Sequence, residues 1–106
     1  MSCSDNYRSK LHVPAVIVNN FVNHLYHTAQ EYCLKQSVDF ELLKPLMNET
    51  LAKLNEGGTP KDMQTGPAVR GDFQTINDHI RILKKLDIDP DFYESITRSI
   101  INSHKS

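Results

Sequence analysis

One hundred and six residues make a single domain's worth of chain, with 39% hydrophobic and 24% charged residues and a formal charge of -1. A near-neutral balance with its 12 basic residues scattered excludes a nucleic-acid surface, which needs clustered Lys and Arg in excess of Asp and Glu. Two cysteines, Cys3 and Cys33, are too few for the disulfide framework of a small secreted domain. No basic-then-apolar leader opens the sequence, so the expectation is a reduced, cytoplasmic protein.

Leu11, Ala15, Val18, Val22, Leu25, Ala29 and Tyr32 recur at alternating steps of four and three, which predicts one stripe of a long first helix. Pro14 would kink that helix or mark its first turn. The rival reading of Val13–Val18 as a buried strand is weaker, because the stripe runs through it unbroken. A second helix is predicted after Asp39, with Leu43, Met47, Leu51 and Leu54 inward. Either it begins at Pro45, or a short turn over residues 39–44 precedes it.

All four glycines, Gly57, Gly58, Gly66 and Gly71, fall within fifteen residues, so the irregular part of the chain is expected there. Asp72 then caps a third helix with Phe73, Ile76, Ile80 and Leu83 at helical spacing. Asp89 and Pro90 read as cap and first position of a fourth, with Tyr93, Ile96 and Ile100 inward. The economical architecture is all-α, a small bundle of about four helices, with no membrane span.

Two places depart from plain bundle chemistry. Opposite the apolar stripe of the first helix lie Asn19, Asn20, Asn23, His24 and His27, and no charged residue occurs from Leu11 to Gln30. Asn and His are poor helix formers, so a face built from them is either a solvent face that lacks charge by accident or one that meets a protein surface or polar ligand. His24 and His27, with Glu31 one turn beyond, do not match HExxH and gain no Cys or Asp cluster, so no metal is expected. His12 and His79 read as packed histidines.

The second departure is Gln64-Thr65-Gly66-Pro67-Ala68-Val69-Arg70-Gly71-Asp72, which leads into the third helix. Thr65 offers a hydroxyl, Gly66 allows close backbone approach, and Arg70 offers a fork for a carboxylate or phosphate. The plain alternative is a turn in which Arg70 pairs with a surface acid and Asp72 only caps. Arg-Gly-Asp also spells the integrin-binding tripeptide, which three residues support weakly.

The loop from Gln64 to Asp72 with His79, together with Arg8, Leu11-His12, Ala15-Val16, Asn20-Phe21, Asn23-His24-Leu25 and Pro45-Leu46, resembles the C-terminal helical domain of a bacterial family. That family joins a Rossmann-like NAD(P)-binding domain to a helical domain of unknown function, and is similar in plan to phosphogluconate dehydrogenase and pyrroline-carboxylate reductase relatives. The resemblance runs from about Asp5 to Ile101 and is most specific in Thr65–Asp72.

It implies a phosphogluconate dehydrogenase C-terminal-domain-like fold over residues 5–106, a homodimer, and one wall of a cleft whose other wall, a dinucleotide domain, is missing from this chain. Residues 1–4 would be a linker remnant, and the chain an excised piece, inactive alone. Within such a domain the chemistry of the residues leads to the expectation that His24 and Asn20 are catalytic, protonating and orienting a carbonyl oxygen, and that Thr65, Gly66, Arg70 and Asn23 bind a small acidic substrate. NAD(P) would belong to the missing domain, and this chain would hold no cofactor. The competing expectation is a non-enzymatic, homodimeric helical interaction module.

Overall fold

A computed structural model describes residues 2–105, with side chains from Asn6 onward. Residues 1–4, read as a linker remnant, therefore lie at or outside the edge of the described residues. The described residues form helices and no strand, so the all-α expectation holds and the strand reading of Val13–Val18 does not. Two compact units are separated between Phe40 and Glu41.

The first unit is one long helical run in three parts: α1 (Ser2–Ala15), a π-helical segment (Val16–Phe21) and α2 (Val22–Gln36). Pro14 sits inside α1, where it has no N–H for the Lys10 carbonyl, and the ladder widens into the π segment two residues later. A π turn takes more residues than an α turn, so the single 3.6-residue period of the predicted stripe is broken there. Val22, Leu25, Ala29 and Tyr32 are half-buried and Cys33 is buried, whereas Leu11 and Val18 are 51% and 69% exposed. The predicted stripe is thus correct for α2 and open to solvent before it.

Ser37 ends α2 in the left-handed conformation at φ 57°, and the Val38 N–H donates to the Cys33 carbonyl at 2.9 Å. This closure satisfies an orphan carbonyl of the last turn. Outside the glycines, Ser37 and Asp87 adopt positive φ, each at a helix end.

A 3-10 turn (Phe40–Leu43) leads into the second unit and precedes α3 (Lys44–Asn55), with Pro45 in its first turn where a missing N–H is harmless. Of the two starts open in the sequence, the preceding turn is the one adopted. Leu43 and Met47 are half-buried, but Leu51 and Leu54 are exposed, contrary to expectation. The glycine-bearing stretch contains two single-turn helices, α4 (Pro60–Met63) and α5 (Pro67–Arg70), each opened by a proline. Gly58 has no positive φ; it is there for space, because a Cβ would lie 2.8 Å from the Lys53 carbonyl oxygen and 2.5 Å from the Met63 sulfur.

Next come α6 (Phe73–Lys85) and α7 (Asp91–Ser103), and α5 packs against both. Ala68, Ile76, Leu83 and Ile88 form the buried core of this unit. Phe73, predicted inward, is 59% exposed, and at the first position of α6 it lies beyond the reach of the core. On α7 the inward stripe is Tyr93, Thr97, Ile100 and His104, while Ile96 lies outward. Asp89 still takes the Asp91 N–H at 3.0 Å, although the helix starts one residue later than predicted. The His104 ring faces two carbonyls, Nδ1 to Ile100 at 3.0 Å and Nε2 to Lys61 at 3.1 Å, which ties the end of α7 to α4. Both bonds form together only when both ring nitrogens carry a proton.

Candidate functional site

The residues singled out in the sequence fall into two groups, one in each unit. Asn19 and Asn20 lie in the π segment, and Asn23, His24 and His27 follow in α2, all exposed. The rings of His24 and His27 stand 5.9 Å apart and tilted. Thr28 donates its hydroxyl to the His24 carbonyl at 3.1 Å, and the His24 ring, beyond its contact with His27, and the Asn20 amide make no hydrogen bond among the described residues. Unspent donors and acceptors line this neutral face, and π segments interrupt α-helices disproportionately at functional sites. No group of three or more His, Cys, Asp or Glu that could hold a metal occurs among the described residues.

The second group is built by the turn into α6. Gly66 adopts φ 105° and ψ 175°, a conformation that side-chain-bearing residues rarely take, and so turns the chain from the exposed Thr65 into Pro67 and α5. Gly71 ends α5 at φ 68°, and the Asp72 N–H donates to the Pro67 carbonyl at 2.9 Å. Six residues after Gly66, Asp72 is therefore delivered as the cap of α6. Its carboxylate accepts the Thr75 N–H at 3.2 Å and the Thr75 hydroxyl at 2.7 Å.

These two Thr75 bonds hold the Asp72 carboxyl below its ordinary value of 3.8, with smaller help from the nearby Arg70 and His79 charges and against partial burial. The Arg70 guanidinium comes within 4.0 Å of the carboxylate, the outer limit of an ion pair, and stays 63% exposed. The cap and the pairing of Arg70 with a nearby acid are thus both present. Asp72 caps and Arg70 leans on it, yet the guanidinium keeps donors directed to solvent.

The sequence predicts an inward-facing Tyr93, which holds, and a packed His79, which does not. Instead His79 is exposed, and its Nδ1 lies 2.7 Å from the hydroxyl of half-buried Tyr93, the rings meeting edge-on at 5.7 Å. Burial pushes the Tyr93 phenol above its ordinary value of 10.0, so it stays protonated near neutral pH. The spacing of Asp72, Thr75 and His79 places all three along one edge of the α6 core stripe. That edge was legible; the Tyr93 bond, between residues 14 apart on two helices, was not.

The described residues do not fit a dinucleotide. A Rossmann phosphate cradle needs a strand running into a glycine-rich turn and a full helix, whereas Gly66 and Gly71 bracket a single helical turn with no strand before it. No helix among the described residues is long and apolar enough to cross a membrane.

A search of curated proteins finds no match. Among solved structures the chain is similar to a protein of Bacteroides fragilis described as "putative NADP oxidoreductase BF3122", at 41% identity and a TM-score of 0.81. The likeness covers 90% of this chain and 37% of that one, so the chain spans well under half the length of its neighbour. The family model for a domain of unknown function, DUF2520, matches residues 1–100. With nearly its whole length matched, the chain belongs to the DUF2520 family.

Proposed function

We propose that this chain is the helical, substrate-side domain of a two-domain NADP-dependent oxidoreductase and that it works as a homodimer. The observation that carries the reading is the likeness to the Bacteroides fragilis protein, which extends over 90% of this chain but only 37% of the neighbour, so the neighbour has further chain in which a dinucleotide domain can reside. The lack of fit to a dinucleotide in these residues supports the same division of labour. On this reading Thr65, Gly66 and Arg70 of the second unit receive an acidic group of the substrate, while in the first unit Asn23 binds substrate and Asn20 and His24 are the groups suited to orient and protonate a carbonyl oxygen. The protein is cytoplasmic, where Cys33 stays a thiol.

Exposed apolar side chains support the second copy. Val13, Val18 and Phe21 in the first unit and Leu46 and Leu51 in the second are 56–69% exposed. The same observation favours the alternative of a non-enzymatic homodimeric module, so the test separates the two through ligands. Isothermal calorimetry of the chain with acetate and with NADP is expected to show weak acetate binding, reduced about ten-fold or more in Arg70→Gln, and none of NADP. NADP binding by this chain, or no carboxylate binding at all, overturns the enzymatic reading.

A further inference from the structure

The uncharged stretch of the first helical run, Leu11 to Gln30, is bounded by opposite charges: Arg8 and Lys10 precede it and Glu31 follows. Neither Arg8 nor Glu31 makes an ion pair among the described residues. Along the run they stand roughly 33 Å apart, too far to pair within one chain. Their separation of 23 residues is about 6.4 turns of an unbroken α-helix, which would leave them on different faces. The π segment between them takes up about one residue more in its turn, so the count falls to about 6.1 turns and Glu31 returns to the Arg8 side. Lys10, two residues after Arg8, lies round the other side.

On the face that Arg8 and Glu31 share, the spacing is mirrored. Arg8, His12, Ala15 and Asn19 advance by four, three and four residues. From the adjacent Asn20, the residues His24, His27 and Glu31 advance by four, three and four again. All are exposed except half-buried Glu31, and the midpoint falls between Asn19 and Asn20, inside the π segment. A two-fold axis that sets residue i against j also sets j against i, so a face with the same spacing from either end is complementary to itself. Two antiparallel copies then place Arg8 against Glu31, His12 against His27, Ala15 against His24 and Asn19 against Asn20, each pair twice. The charges are opposite, the small Ala15 leaves room for an imidazole, and the amides can both donate and accept. In a parallel pair Arg8 would meet Arg8 and Glu31 would meet Glu31.

We propose that a second copy of this chain lies antiparallel along this face, with the two-fold axis between Asn19 and Asn20. The pairing rests on the homodimer proposed above and adds its orientation and the residues at its axis. Polar pairs of this kind fix register more than they add affinity, which comes from the exposed Val13, Val18 and Phe21 elsewhere on the run. Asn20 and His24 of both copies lie near the axis, so the groups suited to orient a carbonyl oxygen are contributed by two chains.

The test uses the full chain carrying Cys3→Ser, in which the buried Cys33 is the remaining native thiol. Mild oxidation is expected to link Asn20→Cys into a covalent dimer and to leave Arg8→Cys unlinked, because across this axis only residues near the midpoint meet their own counterparts. In sedimentation equilibrium at low salt, Arg8→Glu and Glu31→Arg are each expected to raise the dimer Kd about three- to ten-fold, and the double variant to return it to within about two-fold of wild type. Arg8→Cys that links to itself, Asn20→Cys that does not link, or a double variant no tighter than the single ones overturns the antiparallel pair; where the wild type is still dimeric, the homodimer stands. A wild type of single-chain mass at every concentration overturns both.

Discussion

Asp72 is the residue on which the second unit's local geometry turns. Its folded carboxyl lies below the usual 3.8, so its stabilisation is present above that value and is lost as pH falls through the lower, folded value. Thermal melts of wild type and Asp72→Ala are therefore expected to differ most well above the ordinary 3.8 and to converge as pH falls past the lowered, folded value. A gap that stays constant across this range would mean that the Thr75 bonds contribute nothing. Gly58 is constrained by space and not by φ. Gly58→Ala is expected to cost about 1–3 kcal/mol in urea unfolding, since the nearest obstacle is the Lys53 backbone carbonyl and not only the flexible Met63. The capping role of Asp72 was legible because cap chemistry is local. The need for a glycine at 58 was not, because it depends on where residues 53 and 63 return.

At the scale of elements, periodicity located every long helix but misplaced parts of their faces. On α7 the expected Ile96 is outward and Thr97 inward, since the stripe is fixed by Tyr93, Ile100 and His104. The first helix shows the larger departure. An unbroken 4-3 repeat has no way to announce a π segment, because the widening follows from backbone hydrogen bonding around Pro14 and not from side-chain polarity. The end of α7 is held by a single ring. His104→Ala, which removes the ring that reaches the Ile100 and Lys61 carbonyls, is expected to destabilise the chain by roughly 1 kcal/mol and to raise amide exchange first in α4. Unaltered exchange at residues 60–63 would show that the ring does not restrain that turn.

At the scale of the molecule, the buried apolar residues among those described are Cys33, Ala68, Ile76, Leu83 and Ile88, four of them in the second unit. So small a core leaves the apolar side chains of the first helix and of α3 open, and the hydrophobic effect then favours covering them. The lack of charge from Leu11 to Gln30 made one half of that surface legible in the sequence. The exposure of Leu51 and Leu54 was not, because an amphipathic stripe looks the same whether its cover comes from its own chain or from another.

The most direct measurement of the proposed assembly is sedimentation velocity of the 12.1 kDa chain over about 1–100 μM, beside a Val18→Glu variant. The account predicts a species of twice the chain mass for the wild type and a shift toward the single-chain mass for the variant. A wild type that sediments at 12.1 kDa at every concentration would contradict it.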